Sequence, residues 1–205
     1  MEELTPKVRK HIRQALKNVE VKRIEMDDYA EELSIVHNNA CKSYSAFLGS
    51  FVVSEYFKNR NPEESCFAAF SVENGNLIGY MTCIERCGYA ETITAKYDPE
   101  YLKLRASDAI HNFVLDYYLN ERKVSYVCSG TRTVNHETNA QEYKIETFGF
   151  KKAFCELHVE YNPKIKWIVK ILFPFRRLLL LFDRFGFVHK INSILKMEQL
   201  VREKR

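Results

Sequence analysis

The 205 residues suffice for one large domain, or for an ordinary domain plus a small one, so a sizeable core forms without disulfides or a metal. A hydrophobic content of 46%, an aromatic content of 13% and only seven Gly and five Pro exclude a collagen-like, low-complexity or disordered chain. The net charge of +4 hides a division: residues 164–205 carry eleven Lys/Arg against Asp183, Glu198 and Glu203, a net +8, while residues 1–163 are net −4.

Taken in chain order, Thr5-Pro6 is a helix start, followed by Val8, Ile12, Ala15, Leu16 and Val19 at helical spacing with basic residues on the other face. Val21–Met26 alternates as a strand, and Asp27 is placed to cap a helix carrying Leu33, Val36, Ala40 and Cys41. Phe51–Asn59 reads as a further helix that stops at Asn61-Pro62. Three antiparallel strands are then expected: Cys66–Val72, Leu77–Cys87 after the Asn74-Gly75-Asn76 turn, and Glu91–Tyr97, closed by Asp98-Pro99.

Tyr101–Glu121 has helical periodicity through Leu104, Ile110, Phe113, Val114 and Tyr118, and Val124–Cys128 is a short strand reached by a parallel crossover. Asn139–Thr147 is a weaker helix, closed by Phe148-Gly149-Phe150, and Ala153–Tyr161 alternates as a last strand before Asn162-Pro163. The order implies an α+β fold, a mixed and mostly antiparallel sheet flanked by helices, in three segments: a leading helix (1–19), a main domain (20–163) and a basic helical extension (164–205). The sequence holds no internal repeat, P-loop or dinucleotide-binding glycine motif.

The six cysteines form no CxxC pair, and Cys83 and Cys87 have no matching His pair, so no metal site is expected. Cys128, inside an apolar strand, reads as packing rather than as a nucleophile. His111 also reads as packing, and Asp108 as a first-turn partner of a helix dipole. Met1–Lys17 is polar and has no secretory apolar stretch, which implies a cytoplasmic protein with free thiols.

The element order, together with Asn139 and the Phe148-Gly149-Phe150-Lys151-Lys152 junction some ten residues on, resembles the GNAT acyltransferase superfamily over residues 20–162. That superfamily cradles the pyrophosphate of coenzyme A with a Gln/Arg-x-x-Gly-x-Gly/Ala loop opening its central helix. Here the stretch is Leu102-Lys103-Leu104-Arg105-Ala106-Ser107, in which Arg105 and Ser107 stand at the glycine positions. Either guanidinium and hydroxyl groups meet the phosphates, or the site is degenerate. This departure points to outlying branches, including the Fem-type transferases that use aminoacyl-tRNA.

The resemblance implies acyl transfer from a thioester donor, acetyl-CoA or another acyl-CoA, to an amine or hydroxyl, with acyl carrier protein or aminoacyl-tRNA as other donors. Arg105, Ala106, Ser107 and Asn139 are its implied donor-binding residues. It also implies a carboxylate base from the central strands, Glu85 or Glu91, and a tyrosine acid on the late helix, where Tyr143 lies although the family's usual position falls at Ile145. The polar run 129–139 adds His136 and Glu137 as a base or proton relay, against the plainer reading of a solvated loop that caps the next helix.

The extension from Lys164 is apolar but broken by Lys170, Pro174, Arg176 and Arg177, so it does not span a bilayer. It fits an anionic membrane surface from the cytoplasmic side, or packing on the domain or on a second copy; nucleic acid is the weakest fit. The alternative to an enzyme is therefore a non-catalytic binding module of this fold that associates with membrane or dimerises through residues 164–205.

Overall fold

The computed structural model describes residues 4–43, 51–130, 139–154 and 156–203. The chain divides into two compact units, Met1–Thr131 and Arg132–Arg205. This division follows packing and falls within the polar run, whereas the expected boundary at 163 follows charge and proline.

In the first unit the Thr5 hydroxyl accepts the Val8 N–H at 3.4 Å and Pro6 takes the first helical position. Helix α1 (Pro6–Asn18) buries Val8, Ile12 and Ala15, and runs straight into β1 (Val19–Ile24), so the strand starts two residues earlier than its alternation suggests. Leu16 lies off that buried stripe and is 45% exposed. Asp27 does not cap the next helix: a turn intervenes, and α2 (Ala30–Lys42) starts behind Tyr29 with no side-chain cap bond. The helix expected over Phe51–Asn59 shrinks to α3 (Glu55–Lys58). The Asn38 amide explains this, since it donates to the Val52 carbonyl and accepts the Val52 N–H, both at 2.9 Å, as a neighbouring strand would.

Strands β2 (Glu64–Ser71), β3 (Leu77–Arg86) and β4 (Tyr89–Tyr97) form an antiparallel meander beside β1, and β5 (Tyr126–Cys128) adds to β4 in parallel, giving a sheet in sequence order. Gly75 turns the β2–β3 hairpin at φ +75°, the backbone that glycine adopts without strain. The helix expected over Tyr101–Glu121 is three pieces: a 3₁₀ segment (Pro99–Leu104), α4 (Ala106–Asp116) and a π turn (Tyr117–Glu121). The first two are separated at Arg105, which is left-handed (φ 61°, ψ 41°), and the π turn continues directly from α4.

Alternate residues of β2 face opposite layers. Phe67 and Ala69 pack with Ile78, Met81, Ala109, Ile110 and Tyr118 beneath α1 and α4, while Cys66 and Ala68 pack with Leu33, Val36, Phe57 and Tyr80 beneath α2 and α3. Burial pushes the Cys66 thiol up to about 12, aided by Glu64, so Cys66 stays protonated. Glu64, with its side chain only 2% exposed, is held by Arg60 through two bonds, one of 2.8 Å. Arg60→Ala leaves that carboxylate buried and is expected to cost about 3 kcal/mol, read as a lower chemical-denaturation midpoint. Arg122→Ala, which breaks an exposed pair with Glu85, is expected to leave the midpoint almost unchanged.

The second unit contains α5 (Ala140–Phe148), α6 (Pro163–Leu172), a 3₁₀ turn (Phe173–Phe175), α7 (Arg176–Leu180) and α8 (Gly186–Glu203). Gly149 closes α5 at φ +70°, with its N–H and that of Phe150 returning to the carbonyls of Ile145 and Lys144. The strand expected over Ala153–Tyr161 is absent: the described residues there join no ladder, and Phe154 is 92% exposed. Alternation alone makes no strand when no neighbouring edge takes up its N–H and C=O groups.

Candidate functional site

The parallel pairing of β4 with β5 is short. Tyr89 opposes Tyr126, Ala90 opposes Val127 and Glu91 opposes Cys128, and there the ladder ends. The two tyrosine rings stack at 5.1 Å and fix the closed end. Beyond Glu91, β4 continues to Tyr97 with β3 as its only strand partner among the described residues. The β3–β4 register slips between Thr82↔Thr94 and Cys83↔Thr92, so Ile93 is a bulge residue without its own partner. A bulge adds twist and turns backbone groups out of the ladder, here beside the point where β4 parts from β5.

Glu91 stands at that point with its side chain 27% exposed and Arg86 at 3.9 Å. Gly130, just past β5 at φ +67°, leaves it room, because a Cβ there would lie 3.2 Å from Glu91 Oε1. Glu85 is placed differently. It pairs in register with Ala90 while Glu91 pairs with Ile84, so the two carboxylates face opposite sides of the sheet. Glu85 is also held by Arg122 through bonds of 3.0 and 3.1 Å. The structure therefore does not bring the two glutamates together, and Cys128 at the junction is half-buried rather than enclosed.

The other end of β4 leads into the loop before α4. Asp98, 5% exposed, accepts from Asn39 Nδ2 at 2.7 Å and from the Glu100 N–H at 3.0 Å, which ties the loop to α2. Arg105 keeps the left-handed backbone suited to glycine, at a cost of about 1 kcal/mol. Its guanidinium returns onto the first turn of α4, 3.2 Å from the buried Asp108. Ala106 is buried at the first helical position. Ser107 is half-buried, and its carbonyl accepts from His111 Nδ1 at 2.8 Å.

A cleft of about 430 Å³ opens beside this loop, lined by Gln14, Lys17, Asn18, Lys103, Leu104 and Arg105. Its lining holds three cations and two amides and no carboxylate. Carbonyls at the end of α1 are already occupied: Gln14 accepts Asn18 Nδ2, Ala15 the Val19 N–H, and Asn18 the Val72 N–H. Lys17 and Lys103 form no ion pair among the described residues. This lining matches an anion, and phosphate best.

Of the remaining expected residues, His136 and Glu137 lie outside the described residues. Tyr143 and Asn139 belong to the second unit. The Tyr143 ring lies edge-on to Phe148 at 5.8 Å, and Asn139 precedes α5 with its carbonyl, not its side chain, accepting the Tyr143 N–H. Sequence reasoning missed Gln14, Lys17, Asn18 and Lys103, and no linear signal joins residues 14–18 to residue 103. The Ile93 bulge was equally hidden, since Glu91–Tyr97 alternates as a regular strand. Among the described residues, no group of three or more His, Cys, Asp or Glu is arranged to hold a metal.

No family model and no curated protein matches the sequence. Solved structures do match the fold. The ribosomal-protein-alanine N-acetyltransferase of Brucella melitensis biovar Abortus 2308 superposes with a TM-score of 0.55 at 10% identity, over 70% of this chain and 99% of that one. A possible acetyltransferase from Clostridium difficile 630 gives 0.54 at 10% identity, over 71% and 97%. The ribosomal-protein-S18-alanine N-acetyltransferase of Escherichia coli gives 0.51 at 18% identity, over 66% and 79%.

Proposed function

We propose that this chain, which has the fold of the GNAT N-acetyltransferases, transfers an acyl group from a thioester donor, acetyl-CoA or another acyl-CoA, to an amine or hydroxyl. The observation that carries the reading is the parting of β4 from β5 after Glu91, with a bulge at Ile93 on the exposed side of the junction. A strand edge with open N–H and C=O groups receives an extended, amide-bearing arm as it would another strand. From Glu91 to Tyr97 the strand offers about 20 Å, room for an arm with a thioester at one end and phosphates at the other. The phosphates then reach Lys17, Lys103 and Arg105 in the cleft.

In this reading Glu91 takes the proton from the attacking amine or hydroxyl, and backbone N–H groups around Ile93 meet the oxyanion. The new C–N or C–O bond forms as the C–S bond breaks, and the thiolate leaves as the thiol after protonation. The role of acid for Tyr143, and that of a relay for His136 and Glu137, rest on the sequence reading and not on the geometry around Glu91. The donor site is a side-chain version of a glycine loop: lysines and Arg105 supply the charge where the two glycines would have brought backbone amides closer. The test is thiol release from acetyl-CoA with a panel of amines and aminosugars. Acceptor-dependent release supports the reading, and release no faster than buffer hydrolysis with every acceptor and with longer acyl-CoAs counts against it.

A further inference from the structure

The outer surface of the second unit is apolar where a solvent-facing helix is ordinarily polar. Helix α6 turns Val169 inward, to 5% exposed, while Trp167, Ile168 and Ile171 are 66%, 53% and 60% exposed. At 100° per residue these three fall within roughly a 100° arc whose middle lies about 150° from Val169. The same character continues through Phe175, Leu181 and Phe187, the last two 75% and 76% exposed. Exposed apolar side chains in this density mark a partner or a membrane.

These side chains are held outward by a scaffold with its own interior. Asn192, 4% exposed, donates to the Leu179 carbonyl at 3.1 Å and to Asp183 Oδ1 at 2.6 Å, and Leu195 is 2% exposed. The Arg202 guanidinium lies 3.9 Å from the Phe173 ring centre, which closes the other side of the hairpin. The inward positions are therefore taken, and the outer face has no place in this core.

Charge identifies the occupant. Between Lys164 and Lys190 the sequence has seven Lys/Arg and one carboxylate, Asp183. That carboxylate is spoken for by His189 at 2.9 Å and by Asn192, which together hold it below the usual carboxylate range. A two-fold contact between copies sets the same patch against itself, so Lys166, Arg176 and Arg177 would meet like charges with no free acid to oppose them. An anionic bilayer supplies what the patch lacks, apolar depth for the rings and negative headgroups for the cations. No described helix is long and apolar enough to cross a membrane, so the segment lies along the surface.

We propose that residues 163–187 dock the protein on the surface of an anionic phospholipid bilayer, with Trp167 and Phe187 in the headgroup boundary and the flanking lysines and arginines on lipid phosphates. The test uses the full chain and large vesicles of phosphatidylcholine, with and without about one-third phosphatidylglycerol. Trp167 is the only tryptophan of the chain, so its emission reports this face alone. Co-sedimentation with anionic vesicles is expected, with a blue shift of the emission and weaker binding in high salt. Ile171→Asp and the pair Arg176→Gln, Arg177→Gln, all at exposed or half-buried positions, are each expected to lower partitioning at least tenfold. No sedimentation and no shift overturns the proposal, as does equal binding to neutral vesicles. An emission shift that follows protein concentration without vesicles, with a dimer in analytical ultracentrifugation, assigns the face to a second copy and also overturns it.

Discussion

Glu91→Gln is expected to lower acyl transfer at least 100-fold while leaving acetyl-CoA affinity within a factor of about two. The substitution keeps the size of a side chain that lies close against Gly130, so the strand junction is preserved and only the basic oxygen is lost. Glu91 is the carboxylate at the end of the β4–β5 ladder, about a quarter exposed, and among the described residues its one ion-pair neighbour, Arg86, stands at 3.9 Å. Glu85 offers the contrast: its two oxygens are committed to Arg122, and it faces the other side of the sheet. Glu85→Gln is accordingly expected to change turnover less than threefold. Turnover unaffected by Glu91→Gln would remove it as the base and move that role to the polar run that holds His136 and Glu137.

Replacing both Lys17 and Lys103 by alanine is expected to weaken acetyl-CoA binding about 100-fold, with turnover at saturating donor little changed. Each charged hydrogen bond to phosphate is worth about 1.5 kcal/mol, or roughly tenfold, and the two lysines lie on separate elements facing one cleft. Both side chains are on exposed residues without ion pairs among the described residues, so the fold does not depend on them. Affinity of the unaltered protein is expected to fall steeply with salt, and that of the double variant less so. Equal affinities would place the donor phosphates elsewhere and return the cleft to ordinary basic surface. Arg105→Ala is the less informative change, because it also frees the buried Asp108 of its guanidinium partner.

The fold was legible where one local signal decides a local structure. Thr5-Pro6 starts α1, Asn74-Gly75-Asn76 turns the first hairpin, and Gly149 ends α5, each through backbone chemistry confined to three or four residues. Elements decided by distant partners were not legible. Val52 is held extended by Asn38, fourteen residues away, and α3 is short as a result. Ala153–Tyr161 has the alternation of a strand without a described neighbour to pair with. Tyr101–Glu121 reads as one helix because periodicity does not report the left-handed turn at Arg105.

The site divides in the same way. The order of elements offers Glu85 and Glu91 alike, together with the 102–107 loop, as candidates, and only the register separates the two carboxylates; the order survives at sequence identities too low for letters to match. The cleft is not in that order: it requires the end of α1 to lie against the segment before α4, a contact set by packing of Ala15 and Val19 into the same core as Ala106 and Ala109. Two lysines separated by eighty-six positions in sequence become neighbours of one anion only through that core.

The most direct test of the central claim is calorimetric titration of the full chain with acetyl-CoA, alongside the Lys17→Ala, Lys103→Ala double variant. Saturable binding by the native chain, weakened about 100-fold in the variant, is the predicted result. Absence of saturable binding by the native chain would contradict a coenzyme A thioester as donor and leave the fold without the activity proposed for it.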